Sequence, residues 1–281
     1  MKTNNGMFQM QLSRMVTRSQ FKIAWVLSFA FIAVAFAEEC FSLWGTDRSV
    51  LYSASSGWIG NASVLMGNVM QVFYFFAIFM IAALPFSDSF LEDRKNHSLA
   101  PVLTRGTWNS YWRSGILLTF LGGFLVIFIP LLVSQLLSFL LFPVSGGKMT
   151  SDWGGWSISS TLSEGYVFPY LAFHHPYLHN ILFVFYSSFL AGLTAVGSYL
   201  LSLLGVHKKL LVLGLPTIFW VIYTAVITFI APGLVFQVYL YPNENIFKES
   251  WFFFALPLCV IAILLIGCLL VKKRKMEAAL L

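Results

Sequence analysis

Residues 115–142 read GILLTFLGGFLVIFIPLLVSQLLSFLLF and contain no Asp, Glu, Lys or Arg. A helix crosses roughly 30 Å of hydrocarbon with about 20 mostly apolar residues, so this stretch is long enough to span a bilayer. The whole chain has the same character, because 58% of its 281 residues are hydrophobic and only 10% are charged. A soluble domain carries about 25% charged residues. The sequence therefore predicts an integral membrane protein and argues against a water-soluble enzyme.

Further apolar segments lie on both sides of this run. Six segments of the chain are long enough to cross a membrane: residues 22–38, 64–86, 115–142, 180–204, 210–231 and 250–271. We expect an all-α integral membrane protein with six transmembrane helices in a single domain over residues 1–281. The first segment has a short uncharged core and follows a basic stretch, so a cleaved signal peptide is an alternative for it. We favour an uncleaved first span.

The orientation of the chain follows from its basic residues. Cytoplasmic loops hold Lys and Arg preferentially. With a cytoplasmic amino terminus, only Arg48, Lys148 and Lys248 of the 17 Lys and Arg fall in external loops. The distribution predicts that both termini are cytoplasmic. The net charge of +6 is then a consequence of topology, and we expect no nucleic-acid partner.

The amino-terminal segment has an amphipathic pattern. Phe8, Leu12, Met15 and Val16 recur at helical spacing, and apolar residues so spaced form one face of a helix. We expect residues 1–21 to form an interfacial helix along the inner leaflet. A frayed terminus is the alternative.

The inner loop, residues 87–114, mixes acidic and basic residues on one short helical stretch. An apolar turn at residues 99–103 follows, broken by Pro101. A mixed-charge helix with an apolar flank suits docking onto a protein partner. The alternative is a solvated loop whose ion pairs contribute less than about 1 kcal/mol each.

The outer loop, residues 143–180, contains His174, His175 and His179. Histidines four residues apart can share a metal on one helix face, but Pro176 interrupts that turn and no carboxylate lies nearby. We expect no metal site and keep a histidine-dependent membrane metalloenzyme as an alternative. The apolar stretch 233–241 before the last span predicts a segment that dips back toward the membrane.

Two kinds of chemistry are missing from the sequence. No predicted span carries an Asp, Glu, Lys or Arg at its centre, although ion-coupled carriers usually need such buried charges. The chain also lacks the Gly-x-x-x-x-Gly-Lys-Ser/Thr loop that cradles ATP phosphates. We expect no catalytic residue and no cofactor in this chain, so any energy must come from a partner.

Residues 90–113, FLEDRKNHSLAPVLTRGTWNSYWR, carry a resemblance to a known family. The stretch is similar to that family's pattern of an acidic residue, a small-residue turn, an apolar pair, then Thr/Pro-x-Arg and an aromatic before a basic residue. With six spans, cytoplasmic termini and an amphipathic first helix, the chain resembles the membrane subunit of type 2 ATP-binding cassette exporters. It departs from the family pattern at Ser98, where Gly is common, and at Arg113, where Lys is usual.

The resemblance implies a permease in the bacterial plasma membrane that pairs with a second permease subunit and with an ATPase subunit that binds ATP and Mg. It implies that residues 88–99 form a coupling helix in a groove of the ATPase. The coupling residues would be Asp88, Glu92, Asp93, Arg94, Lys95 and His97.

Spans two and five would line the path of a hydrophobic or amphipathic substrate, such as a peptide, drug or lipid. The path residues would be Phe73, Tyr74, Phe76, Tyr223, Thr224 and Thr228. Lipid-facing or packing roles are the alternative for these side chains. A non-transporting sensor or assembly scaffold with the same architecture is the alternative function.

Overall fold

The computed structural model describes residues 2–46, 51, 53–60, 69–104, 107–144, 167–242 and 250–280. Within these ranges the chain is helical and contains no strand. The α-helices in chain order are α1 (Lys2–Thr17), α2 (Ser19–Ser42), α3 (Val69–Val72), α4 (Ile78–Ala83), α5 (Ser89–Lys95), α6 (Leu99–Thr104), α7 (Trp108–Leu141), α8 (Pro169–His174), α9 (Pro176–Leu203), α10 (Lys209–Ile230) and α11 (Ser250–Leu280). A π-helical turn, Phe73–Ala77, joins α3 to α4, and two 3-10 turns, Pro232–Leu234 and Phe236–Tyr239, follow α10.

Five of these helices are long and apolar enough to cross a membrane: α2, α7, α9, α10 and α11. They coincide with five of the six predicted spans and extend past some of them, because polar residues continue the helix at the ends. The prediction of an all-helical, multi-pass membrane protein is therefore confirmed. Residues 64–68 of the predicted second span and residues 145–166 of the predicted outer loop lie outside the described residues.

The described part of the predicted second span is shorter than the other five. Val69–Ala83 is an apolar helical segment interrupted by the π-helical turn. At a rise of 1.5 Å per residue it is roughly 22 Å long, less than the hydrocarbon thickness of a bilayer.

This short segment runs antiparallel to α2. It begins beside the far end of α2, where the Val69 amide donates a hydrogen bond to Glu38 Oε2 (3.2 Å). It ends in the turn that leads to Asp88, which accepts a hydrogen bond from Gln20 near the start of α2 (3.2 Å). The chain between Ser42 and Asp88 therefore returns from one end of α2 to the other.

α9 is the central helix and packs against α4, α7, α10 and α11. Of its most apolar part 72% is buried, against 11% in α11, which lies at the edge of the bundle. Small residues allow the close crossing: a Cβ added to Gly123 of α7 would lie 2.8 Å from the Ala82 carbonyl oxygen and 3.0 Å from the Ala195 Cβ. Small residues at such crossings let membrane helices approach closely.

The amino-terminal segment is helical, as the sequence predicts, and this helix, α1, packs on α7. Met7, Gln11 and Met15 are buried at a spacing of four residues, while Leu12 and Val16 are exposed on another face. The helix is shorter than the predicted segment 1–21, because Arg18 adopts an extended conformation (φ −67°, ψ 140°) and separates α1 from α2.

Two prolines that were expected to interrupt helical turns instead lie in the first turn of a helix. Pro101 is the third residue of α6, and Pro176 is the first residue of α9. The first turn tolerates proline because its N–H groups have no partner within the helix. The apolar stretch 233–241 does fold back, since Phe236 packs against Phe79 and Trp220 with ring centroids 5.5 and 4.3 Å away.

Candidate functional site

The charged side chains with the most mutual contacts surround α5. Asp88 precedes this helix, Glu92 and Asp93 lie within it, and Arg94 and Lys95 end it. Acidic residues near the start and basic residues near the end both stabilise a helix through its dipole. α5 ends at Lys95 with Asn96 as its C-cap, and His97 takes a left-handed conformation (φ 53°). The helix is thus shorter than the predicted coupling helix over residues 88–99.

Asp93 is held by three side chains. Arg14 of α1 grips both carboxylate oxygens, with Nη1 3.0 Å from Oδ2. Tyr111 donates to Oδ2 at 2.6 Å, and Ser98 donates to Oδ1 at 3.0 Å. A bidentate pair between arginine and a carboxylate is among the stronger and more directional hydrogen-bonded contacts in proteins.

The ionisation of Asp93 follows from these partners. Burial by itself would raise the pKa of the Asp93 carboxyl, but the hydrogen bonds from Arg14 and Tyr111, the positive charge of Arg14 and the hydrogen bond from Ser98 outweigh it. The net effect is a pKa below the ordinary value for aspartate. Asp93 therefore carries its negative charge at neutral pH although its side chain is only 1% exposed.

A second set of contacts neutralises Asp88 and Glu92. Arg18 Nη2 lies 3.0 Å from Asp88 Oδ1 and 2.5 Å from Glu92 Oε2. Lys209 Nζ lies 2.8 Å from Asp88 Oδ2 and 3.6 Å from Glu92 Oε1. The guanidinium of Arg18 is not aligned for hydrogen bonds to these carboxylates, so the attraction between them is Coulombic. Gln20 donates a hydrogen bond to Asp88.

We call these six residues the charge cluster: Arg14, Arg18, Asp88, Glu92, Asp93 and Lys209. Three carboxylates face three cations, so the cluster is formally neutral. Its members come from α1, the link to α2, α5 with its preceding turn, and the first residue of α10. A buried carboxylate that loses its cation is costly, so the cluster holds these segments together.

The structure divides the predicted coupling residues into two groups. Asp88 and Asp93 are buried and bound to cations of the same chain, and Glu92 is 37% exposed at the edge of the cluster. The outward side chains are those of Arg94, Lys95 and His97.

Sequence reasoning missed Arg14, Arg18 and Lys209 as the partners of the acids. One signal was available, because Arg14 and Arg18 are four residues apart and would share one face of the helix predicted over residues 1–21. The pairing itself joins residues 79 positions apart.

Two of the predicted path residues, Tyr74 and Tyr223, contact the segment that folds back after α10. Phe73 and Tyr74 are fully buried, and Tyr74 packs against Tyr241 with ring centroids 5.2 Å apart. The hydroxyl of Tyr223 donates to the Leu234 carbonyl oxygen at 3.0 Å. One segment therefore contacts predicted path residues of both the second and the fifth predicted spans.

Three other predicted path residues make no contact that favours a path. The hydroxyls of Thr224 and Thr228 donate to carbonyl oxygens of their own helix, at 2.9 and 2.7 Å. Phe76 is 54% exposed, so its ring is not part of the buried aromatic group around Tyr74.

Two of the three histidines of the outer loop contact nearby residues. His179 is buried, with Nε2 2.9 Å from the Val167 carbonyl oxygen. His174 stacks on Tyr170 with ring centroids 4.3 Å apart. Within the described ranges no three His, Cys, Asp or Glu side chains form a group that could hold a metal ion.

No family model matches the chain, and no curated protein or solved structure is significantly similar to it. The function must therefore be argued from the helical bundle, the charge cluster and the aromatic contacts themselves.

Proposed function

We propose that the chain is the permease subunit of an ATP-driven exporter of the type 2 ATP-binding cassette class. In this proposal it crosses a bacterial plasma membrane six times with both termini cytoplasmic, and it acts with a separate ATPase subunit. The observation that carries the proposal is the charge cluster, which fastens α5 to α1 and α10 at one end of the bundle.

The cluster has the connections that a force-transmitting element needs. α4 ends at Ala83 and leads through one short turn into α5, while α10 begins at Lys209, which binds Asp88 and Glu92. A displacement of α5 would therefore act on α4 and α10 directly. Conformational coupling of this kind is carried by packed side chains and ion pairs between rigid elements.

The same two helices meet through aromatic rings next to the proposed path residue Tyr223. Phe79 of α4 stacks on Trp220 of α10 at 5.6 Å, and both rings contact Phe236 of the 3-10 turn. Separating α4 from α10 would open this contact. An aromatic and mostly uncharged surface favours a hydrophobic or amphipathic substrate over a compact ion.

A second permease subunit, identical or related, would complete the path. α10 leaves Ile222, Val226 and Phe229 exposed, and only 28% of its most apolar part is buried. An apolar helix face of this kind meets either lipid or another membrane helix. ATP and Mg would be bound by the ATPase subunit.

The proposal is tested by purifying the tagged chain from its native cells in mild detergent and identifying the proteins that remain bound. We expect a subunit with a Gly-x-x-x-x-Gly-Lys-Ser/Thr loop, and ATP hydrolysis by the complex in proteoliposomes. Glu92→Gln, at the exposed edge of the cluster, should lower substrate-stimulated hydrolysis, whereas Arg113→Gln, outside the cluster, should leave it unchanged.

Two results would contradict the exporter proposal. Transport by the isolated chain, with no ATPase subunit present, would remove the need for a partner. ATP turnover by the complex that responds to no amphipathic substrate and moves none would favour the sensor or assembly scaffold.

A further inference from the structure

The segment that folds back after α10 carries one polar side chain without a partner. Gln237 lies in the 3-10 turn Phe236–Tyr239 and is 0% exposed. Among the described residues, neither its Nε2 atom nor its Oε1 atom has a hydrogen-bond partner. An amide buried in this way is costly, because it has given up its hydrogen bonds to water and gained none. A group of this kind needs an explanation, and a ligand that supplies the missing hydrogen bonds would provide one.

The hydroxyl groups of the predicted path residues are, by contrast, all paired. Tyr74 and Tyr223 each donate to a backbone carbonyl oxygen, at 2.9 and 3.0 Å. The two threonines of α10 among these residues donate to carbonyl oxygens of their own helix. Tyr239, in the same turn as Gln237, also donates to a carbonyl oxygen, at 2.6 Å. Gln237 is therefore the side chain of this region that is free to bind a polar ligand.

Gln237 lies beside the contact between α4 and α10. Its neighbour Phe236 packs against Phe79 of α4 and Trp220 of α10, with ring centroids 5.5 and 4.3 Å away. Tyr239, at the other end of the turn, packs against a ring of α11 at 5.2 Å. The turn is thus held between three helices. Separating α4 from α10 would uncover Phe236 and the residue next to it.

We propose that Gln237 binds the polar group of the substrate and that this group is an uncharged primary amide. Such an amide occurs in the side chains of Asn and Gln and at an amidated carboxyl terminus. This inference rests on the proposed function, to which it adds the chemistry of the substrate and the residue that recognises it. The aromatic rings around the turn would then meet the apolar part of the same molecule.

The argument for a primary amide is one of complementarity. The side chain of Gln237 offers a donor and an acceptor next to each other. A primary amide has the same pair, so two such groups can form two parallel hydrogen bonds. A carboxylate or an ester has only acceptors and an ammonium has only donors, so each would leave one end of Gln237 unpaired. A hydroxyl has both functions on a single oxygen, and the two hydrogen bonds would be bent.

Photoaffinity labelling of the purified protein in proteoliposomes tests the proposal. The probe is dodecanamide with a diazirine in its chain, and its partner is the methyl ester with the same chain, which keeps the acceptor and lacks the donor. Mass spectrometry locates the label. We expect the amide to label the turn Phe236–Tyr239 at least about tenfold more than the ester does, because a site built to form hydrogen bonds rejects an analogue that lacks one.

The variant Gln237→Met removes the amide and keeps nearly the same length of side chain. It should lower labelling of the turn by the amide probe at least about tenfold, to the level of the ester, and leave labelling by the ester unchanged. The matched control is Gln9→Met, which makes the same substitution at an exposed position of α1. It should leave the labelling by both probes as it is in the unaltered chain.

Melting temperatures separate recognition from a structural role of the amide. Gln237→Met should melt at the same temperature as the unaltered chain or higher, because it removes a buried amide that has no partner. Gln135→Met should melt lower, since the amide of Gln135 donates to Ala54 and accepts from Asn180, at 3.0 and 2.9 Å. A lower melting temperature for Gln237→Met would mean that a water molecule or a protein group already satisfies Gln237, and it would overturn the inference.

The labelling outcomes separate this inference from the proposed function. Equal labelling of the turn by amide and ester, labelling by the amide that survives Gln237→Met, or no labelling of the turn would overturn the amide site and leave the exporter standing. Absence of an ATPase subunit from the purified protein would instead overturn the exporter. Labelling by the amide that still depends on Gln237 would then support the binding site by itself.

Discussion

At the scale of single residues, Asp93 makes the largest number of stabilising side-chain hydrogen bonds in the charge cluster. Arg14, Tyr111 and Ser98 reach it from α1, α7 and the turn after α5. Three separate segments therefore depend on one ionised carboxylate. Replacing Asp93 by asparagine removes this charge and leaves the Arg14 guanidinium beside a neutral amide.

We predict that Asp93→Asn lowers the free energy of unfolding by about 2 to 3 kcal/mol. Breaking a buried ion pair costs about 3 to 5 kcal/mol, and the value here is smaller because the Arg14 side chain is 36% exposed and solvent screens it. Thermal unfolding in detergent measures the change. The double variant Asp93→Asn/Arg14→Gln should lose less than the sum of the two single variants, and additive losses would show that the pair is not coupled.

The lowered pKa of Asp93 predicts the pH dependence of the same contact. A carboxyl whose pKa is depressed by folding stabilises the protein fully above its unfolded pKa of about 3.9, and this contribution disappears as the pH falls through the folded pKa. The difference in melting temperature between the unaltered chain and Asp93→Asn should therefore be constant from pH 7 to about pH 5. It should shrink below about pH 4, and a difference that grows on acidification would contradict the assignment.

At the scale of secondary-structure elements, the contact of α7 with α9 depends on Gly115. A Cβ added there would lie 2.1 Å from the Tyr199 hydroxyl oxygen, which is buried and has no hydrogen-bond partner. Gly115 has no side chain and so leaves space for the Tyr199 hydroxyl. No described neighbour forms a hydrogen bond with that hydroxyl.

We predict that Gly115→Ala destabilises the protein by about 1 to 3 kcal/mol, the usual range for overpacking. Tyr199→Phe should be neutral or stabilising, because it removes a buried hydroxyl that has no partner. Combined with Gly115→Ala, it should recover most of the loss. Melting temperatures of the three variants test this, with Gly214→Ala as a control at a glycine where an added Cβ meets only one distant atom, at 3.9 Å. No recovery in the double variant would mean that α7 and α9 do not meet as described.

The elements differ in how far the sequence could predict them. Long uncharged runs such as 210–231 predicted their helices well. A helix that crosses the hydrocarbon must be both long and apolar, so its length and its composition can be read from the sequence together. The π-helical turn Phe73–Ala77 leaves no such signature, since its extra residue per turn reflects local packing. The charge cluster was also beyond prediction, because Arg14 and Asp93 meet only after α1, α5 and α7 have packed.

At the scale of the whole molecule, the number of crossings decides on which side the two ends of the chain lie. α2 begins beside the charge cluster, and α11 begins at the other end of the bundle, after α10 has run away from the cluster. Five spans alone would place the termini on opposite sides of a membrane. A sixth crossing by Val69–Ala83 would return both termini to the side that holds the cluster.

We predict that Val69–Ala83 crosses the membrane and that both termini are cytoplasmic. The segment runs antiparallel to α2 between Glu38 and the turn at Asp88, and its length of roughly 22 Å can be made up by the adjoining residues or by local thinning of the bilayer.

Site-specific labelling in intact cells tests this topology. With Cys40, Cys259 and Cys268 replaced by serine, a single cysteine at Thr3 or at Lys275 should react with an impermeant maleimide only after the cells are opened, whereas one at Thr46 should react at once. Labelling of exactly one terminus from outside would mean an odd number of crossings and would contradict this prediction.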